Sequence, residues 1–265
     1  MIRYAGRKFH LERQIEELLV ASGKPRLAEL FAGSGFISYT TTLKADVLSD
    51  VDERLLNYHR WLAKNDTTEI VIWLNRRLGE WRGTKEEYDA LKAYVFGQEP
   101  NLSAEYVSAW VFYGSVTFGR SFDKNKGAAR NERGGKIASD GIPQTCKDLL
   151  YVKPEPKRFI CRGYEEALKH TSPDTHVLFL DPPYPETNSG YYKEDAWTLE
   201  RIQGIVDGLL KDGYQMVVTL NMPLKGLELV LSVTKTSTKN SYGPIKQFDD
   251  LVMTNIKRPT VDFWG

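Results

Sequence analysis

Strands that alternate with helices predict an α/β fold, a doubly wound Rossmann-like sheet with a helical insertion. Three stretches carry that expectation. VLFLD (177–181) is a continuous apolar run of the kind buried parallel strands use. RLAELFAGSGFIS (26–38) runs a short apolar strand into a glycine loop. ADVLSDVDERLLNYHRWLAKN (45–65) is a strand ending at Asp50 and followed by a helix.

The other elements follow in order. HLERQIEELLVAS (10–22) sets Leu11, Ile15, Leu18 and Leu19 at helical spacing, and Gly23 and Pro25 end it. Asp52 is placed to cap the helix after Asp50. Three helices are expected across 66–113, the middle one opened by a Thr84/Glu87 capping box. Residues 114–145 are rich in Gly, Lys, Arg and Asn and poor in aliphatics, which predicts an exposed hairpin or loop. Order returns with a strand at RFICRG (158–163), a helical turn at YEEALKH, the VLFLD strand, and a helix over 198–213. YQMVVTLN (214–221), LELVLSVTK and FDDLVMTNI (248–256) read as strands, the last two antiparallel. The sheet-forming parts, 1–61 and 146–265, make one expected domain and 62–145 an inserted second.

Composition sets limits. The chain has 265 residues, 41% of them hydrophobic, with a net charge of +1, so any nucleic-acid surface must be a local patch. Two cysteines, Cys146 and Cys161, form neither a disulfide framework nor a zinc pattern, which predicts a reducing, cytoplasmic compartment and no metal. The opening MIRYAGRKFHLERQ lacks the apolar core of a secretory signal, and no run reaches about 18 apolar residues, so no membrane span is expected. His10, His59, His170 and His176 show no ligand spacing and read as solvated or helix-end residues.

The chemistry concentrates at two strand exits. Phe31-Ala32-Gly33-Ser34-Gly35 follows the first strand, where glycines let the backbone pass close to a ligand. Asp50, with Val51 after it, closes the second strand about fifteen residues on, the place of an acid that accepts from ribose hydroxyls. The third glycine of a dinucleotide fingerprint is missing, which favours a nucleoside without phosphates, S-adenosylmethionine first among them. At the other exit stands Asp181-Pro182-Pro183-Tyr184. The exocyclic amine of a nucleobase is a poor nucleophile because its lone pair is delocalised into the ring. A carboxylate at Asp181 and the carbonyl of Pro182 can each accept one N–H and favour a pyramidal nitrogen aimed at a methyl donor. The prolines fix φ, and Tyr184 offers a ring for stacking, worth about 1–3 kcal/mol.

Together these segments resemble the Dam-like, α-group family of DNA adenine-N6 methyltransferases nearly end to end. Tyr4-Ala5-Gly6-Arg7-Lys8 is similar to the family's opening motif, which implies Tyr4 and Lys8 at the cofactor site. Phe31, Gly33 and Gly35 match its cofactor loop, Asp50 its ribose acid, and Asp181 to Tyr184 its catalytic motif. Cys161-Arg162-Gly163-Tyr164 occupies the segment bordering the cofactor adenine; where the family often has an acid, this chain has Gly163, with Tyr164 left to stack. Tyr191 or Tyr192 and Trp197 resemble the aromatic spacing after the catalytic motif, and Asp249 to Asn255 the closing strand. The resemblance implies a methyltransferase sheet with a helical target-recognition insertion, S-adenosylmethionine as cofactor, and double-stranded DNA as partner, its target base flipped out of the helix. A monomer is the expected state. The family's recognition hairpin ends in Pro-Phe-Gly; here Thr117-Phe118-Gly119-Arg120-Ser121-Phe122 stands in its place.

The segment 120–136 holds six cations against two acids, a net +4, suited to phosphate contacts. Arg120, Lys124, Lys126, Arg130 and Arg133 are the expected DNA-binding residues. The acceptor chemistry at Asp181 suits cytosine N4 or adenine in RNA as well, and a catalytically silent DNA-binding homologue is the further alternative.

Overall fold

The computed structural model describes residues 8–117, 129, 136–151, 159–185, 197–236 and 247–257. Among them, seven strands form one mixed sheet: β1 (Arg26–Glu29), β2 (Lys44–Asp50), β3 (Phe159–Arg162), β4 (His176–Leu180), β5 (Gln215–Leu220), β6 (Glu228–Thr236) and β7 (Gln247–Thr254). Their order is β3-β2-β1-β4-β5-β7-β6. The first five are parallel, and β7 runs antiparallel to both β5 and β6. The chain leaves β1 towards β2 and β3 on one side and returns to β4 on the other. The direction of winding therefore reverses between β1 and β4, and a crevice opens at their carboxyl ends.

Both faces of the sheet are covered, which explains the unbroken apolar strands. Successive residues alternate between two cores. Leu27, Val177, Phe179 and Val217 join one, and Ala28, Leu178, Leu180, Met216 and Val218 the other. Against the first face lie α1 (Glu12–Ala21), which buries Ile15, Leu18 and Leu19, the short α2 (Phe36–Thr40) and α3 (Glu53–Leu62). Asp52 caps α3 by accepting from the Arg54 N–H. Against the second face lie α8 (Tyr164–Leu168) and α9 (Leu199–Lys211), through Ala167, Ile202, Val206 and Leu209.

Between α3 and β3 stand α4 (Thr67–Glu80), α5 (Lys85–Phe96), α6 (Ala104–Val116) and α7 (Ile142–Tyr151). The Thr84/Glu87 capping box opens α5 as the sequence predicts. Nearly every residue of α6 is buried, so it is apolar all round rather than striped. Its Trp110 and Phe112 share one core with Leu74 of α4 and with the sheet. Helix α7 was not expected. Its apolar residues Ile142, Cys146 and Leu149 do follow a helical stripe, and all are buried. Pro143 obscures it, although proline is tolerated in a first turn where the N–H has no helical partner.

Little of the polar segment after α6 is described, but its ends are tethered. Thr117 bridges Ala129 in antiparallel fashion. Ile137 donates its N–H to the Gly83 carbonyl at 2.8 Å, and Trp81 donates Nε1–H to the Ile137 carbonyl at 3.1 Å. Gly83 sits at φ +78, and a Cβ there would lie 2.9 Å from the Ile137 oxygen, so glycine is required for this close approach. No described helix is long and apolar enough to cross a membrane.

Candidate active site at the carboxyl edge of the sheet

The glycine loop leaves β1 and is held from two sides. Gly33 donates its N–H to Asp50 Oδ2 at 2.9 Å, and its carbonyl faces His59 Nε2 at 2.9 Å. A carbonyl only accepts, so Nε2 carries the hydrogen and Nδ1 accepts from the Tyr39 hydroxyl, 3.0 Å away. Burial pushes the Tyr39 pKa well up, aided by Tyr58 and Glu29, which keeps that hydroxyl protonated. Gly35 adopts φ +65, and a Cβ on it would come within 2.7 Å of the His59 ring and 2.8 Å of Tyr39. Glycine at 35 is thus demanded by packing beneath the loop as well as by conformation.

Asp50 lies at the end of β2 and is buried. Its Oδ1 accepts from the N–H groups of Val51 and Asp52, at 2.7 and 3.1 Å. Burial raises its pKa, with the backbone donors of Asp52, Gly33 and Val51 pulling it back down. Asp52 is raised to about 6, by burial first and then by the charge of Asp50. Beside Asp50 is a cavity of about 70 Å³ lined by Leu30, Phe31, Val51, Gly163, Tyr164, Glu165, Trp197 and Arg201. Three rings wall it: Phe31 lies 5.7 Å from Tyr164 and 5.2 Å, edge-on, from Trp197. Arg201 sits 4.4 Å over the Trp197 ring. Ala32 and Ser34 of the loop are buried.

The second strand exit, after β4, carries Asp181. Thr219 of β5 donates its hydroxyl to Oδ1 at 2.7 Å, and the Lys8 ammonium lies 2.7 Å from both Oδ1 and Oδ2. Lys8 also stands 5.0 Å from the centre of the Tyr184 ring. The Tyr184 hydroxyl donates to Asp250 Oδ1 at 2.8 Å, and its pKa is driven up by burial and then by the carboxylates of Asp181 and Asp250. Pro182 is buried and Pro183 half-buried beside them.

The structure therefore brings Lys8, Asp181 and Tyr184 into one cluster, and Phe31, Asp50, Val51, Gly163 and Tyr164 around one cavity. Lys8, expected at the cofactor, stands against Asp181 and Tyr184. Tyr4, Arg120, Lys124, Lys126, Arg130, Arg133, Tyr191 and Tyr192 lie outside the described residues. Sequence reasoning missed Thr219, Glu165 and Arg201, cited Trp197 only for its spacing, and named Asp250 only as part of the closing strand. A hydroxyl inside the apolar run MVVTL was the one available signal for Thr219. The histidine expectation is corrected. His59 and His176 are buried and hydrogen-bonded at 0 % and 4 % exposure, because each has a polar partner from another strand or loop. Among the described residues no group of three or more His, Cys, Asp or Glu is placed to hold a metal.

The edge as a whole offers a small cavity walled by aromatic rings beside a buried acid, and a carboxylate held by Lys8 and Thr219 next to an aromatic face. Comparison with known proteins finds relatives of one activity. Over 233 residues the chain is 26% identical to the retron Ec67 DNA adenine methylase of Escherichia coli, covering 83% of this chain and 76% of that protein. Over 184 residues it is 24% identical to the DNA N-6-adenine-methyltransferase of Escherichia phage P1, covering 69% of this chain and 24% of that longer protein. The family model for D12 class N6 adenine-specific DNA methyltransferases matches residues 4–222. The chain belongs to the D12 class of N6 adenine-specific DNA methyltransferases.

Proposed function

We propose that methyl transfer takes place at the carboxyl edge of β1 and β4, on an adenine extruded from double-stranded DNA at a specific sequence. The observation that carries this reading is the setting of Asp181. Its Oδ1 accepts from both Thr219 and Lys8, whereas Oδ2 accepts from Lys8 and keeps a second acceptor direction. One N6–H of the adenine is accepted there and the other by the Pro182 carbonyl, which draws the nitrogen lone pair out of conjugation. Tyr184 supplies the face on which the base lies. The contribution is orientation and charge complementarity at one nitrogen.

S-adenosylmethionine, the cofactor of the family, supplies an electrophilic methyl group on a sulfonium. The residues present fit it. Phe31, Tyr164 and Trp197 offer ring faces on which a planar base can lie, and Asp50, buried and met by the backbone N–H groups of Gly33, Val51 and Asp52, suits ribose hydroxyls. Ala32, Gly33, Ser34 and Gly35 border the cavity, with Val51 and Gly163 closing it. Tyr4 completes the cofactor side in this reading, and Lys8, expected there from the sequence, serves Asp181 and Tyr184 instead. Glu165, in the cavity wall, supplies the acid that the sequence lacks at Gly163.

Residues 62–145 act as the target-recognition domain, with 1–61 and 146–265 catalytic. Arg120, Lys124, Lys126, Arg130 and Arg133 contact the DNA, and the Thr117–Ala129 bridge and the Ile137–Gly83 bond support a hairpin there. A monomer suffices for this chemistry. Cys146 and Cys161 are free, buried thiols whose pKa burial raises, which suits a reducing cytoplasm.

Expression in a bacterium lacking adenine methylation, followed by nucleoside analysis and mapping of modified bases, tests the reading. N6-methyladenine confined to one DNA sequence context is expected. N4-methylcytosine, methylated RNA or unmodified DNA would contradict it.

A further inference from the structure

Asp250 belongs to β7 and is 1 % exposed. A carboxylate so deeply buried is costly unless partners meet it. One side chain from a distant part of the chain hydrogen-bonds it, and a second lies close by. The Tyr184 hydroxyl donates to Oδ1 at 2.8 Å, and His10 Nε2 lies 3.4 Å from Oδ2. The sheet explains the placement. Thr219 pairs with Val252 and Leu220 with Leu251, so β7 brings Asp250 to the same edge at which β5 brings Thr219 to Asp181. Lys8 and His10, two residues apart, reach one carboxylate each, Asp181 and Asp250.

A tyrosine ring is set by two torsions. Its hydroxyl oxygen lies on the χ2 axis, so an acceptor there fixes χ1 by position and, because the phenolic O–H prefers the plane of the ring, restrains χ2 by direction. With the hydroxyl fixed to β7 and Lys8 joining the ring to Asp181, the stacking plane and the amine acceptor share one frame. We propose that Asp250 is a positioning residue for methyl transfer: it holds the Tyr184 ring in the plane that presents the adenine N6 to Asp181, with His10 near its other oxygen. The inference rests on the reading of Tyr184 as the stacking face.

The test uses Tyr184→Phe, Asp250→Ala, the double variant, Asp250→Asn and Tyr184→Ala. Steady-state methyl transfer to DNA gives kcat and KM, and thermal unfolding gives Tm. Misplacing a reacting group by about 1 Å costs on the order of 100-fold. Asp250→Ala and Tyr184→Phe are each expected to lower kcat about 10- to 100-fold, and the double variant to fall within about 3-fold of the worse single. Asp250→Asn keeps an oxygen that can accept from the hydroxyl and recovers most of the loss. Multiplicative losses in the double variant, or Asp250→Ala within about 3-fold of wild type, would overturn the proposal. Should Asp250→Ala fail to fold, Tyr184→Phe decides alone, since it removes only the hydroxyl: full activity overturns the proposal. The stacking reading fails separately, if Tyr184→Ala transfers methyl as the wild type does.

Discussion

Gly33 is fixed at both ends of its polar surface, by Asp50 on the N–H and His59 on the carbonyl. Two long-range bonds on one residue hold the loop shape before any ligand arrives, which lowers the ordering cost of binding. His59→Ala removes the donor and leaves a half-buried carbonyl without it, at about 1–3 kcal/mol. The expected result is a KM for S-adenosylmethionine raised about 10-fold with kcat at saturation within about 3-fold of wild type. His59→Gln, which keeps an N–H donor, should restore most of the affinity. A fall in kcat with an unchanged KM would show that the loop is not what His59 holds.

The elements make a comparable arrangement at the opposite end of the sheet. His176 opens β4 and joins it to β2 through Asp46, whose other oxygen accepts from Arg26 of β1 at 2.8 Å. The Ser172 N–H donates to His176 Nδ1, so Nε2–H points to Asp46. Burial lowers the His176 pKa below its usual 6.5, outweighing the attraction of Asp46. The unfolded chain therefore takes up this proton first. The stability His176 contributes is present above about pH 6.5 and is lost as the pH falls through its lower folded value. Thermal unfolding between pH 7.5 and 5 should show a Tm decline that flattens in His176→Gln; equal slopes would remove His176 as its source. The strands themselves were legible because both faces are covered and their apolar runs are unbroken. Helix α7 was not, since its stripe lies beside a polar run and carries Pro143.

Across the whole molecule, function follows from where the winding reverses. The strand order sets β1 beside β4, so the FAGSG loop and the Asp-Pro-Pro-Tyr turn, about 150 residues apart in sequence, share one edge. Each motif was readable alone because its chemistry is local. Their support was not: Lys8 to Asp181, Thr219 to Asp181 and Tyr184 to Asp250 span 173, 38 and 66 residues, and no local pattern announces them. The geometry keeps the aromatic-walled cavity beside Asp50 and the carboxylate of Asp181 as two structures with different walls. Binding of cofactor and activation of the amine should therefore separate. The most direct measurement is cofactor affinity by calorimetry alongside methyl transfer to DNA for Asp181→Ala. Affinity within a few-fold of wild type, with transfer abolished, is the predicted result; transfer surviving within a few-fold of wild type would contradict the account.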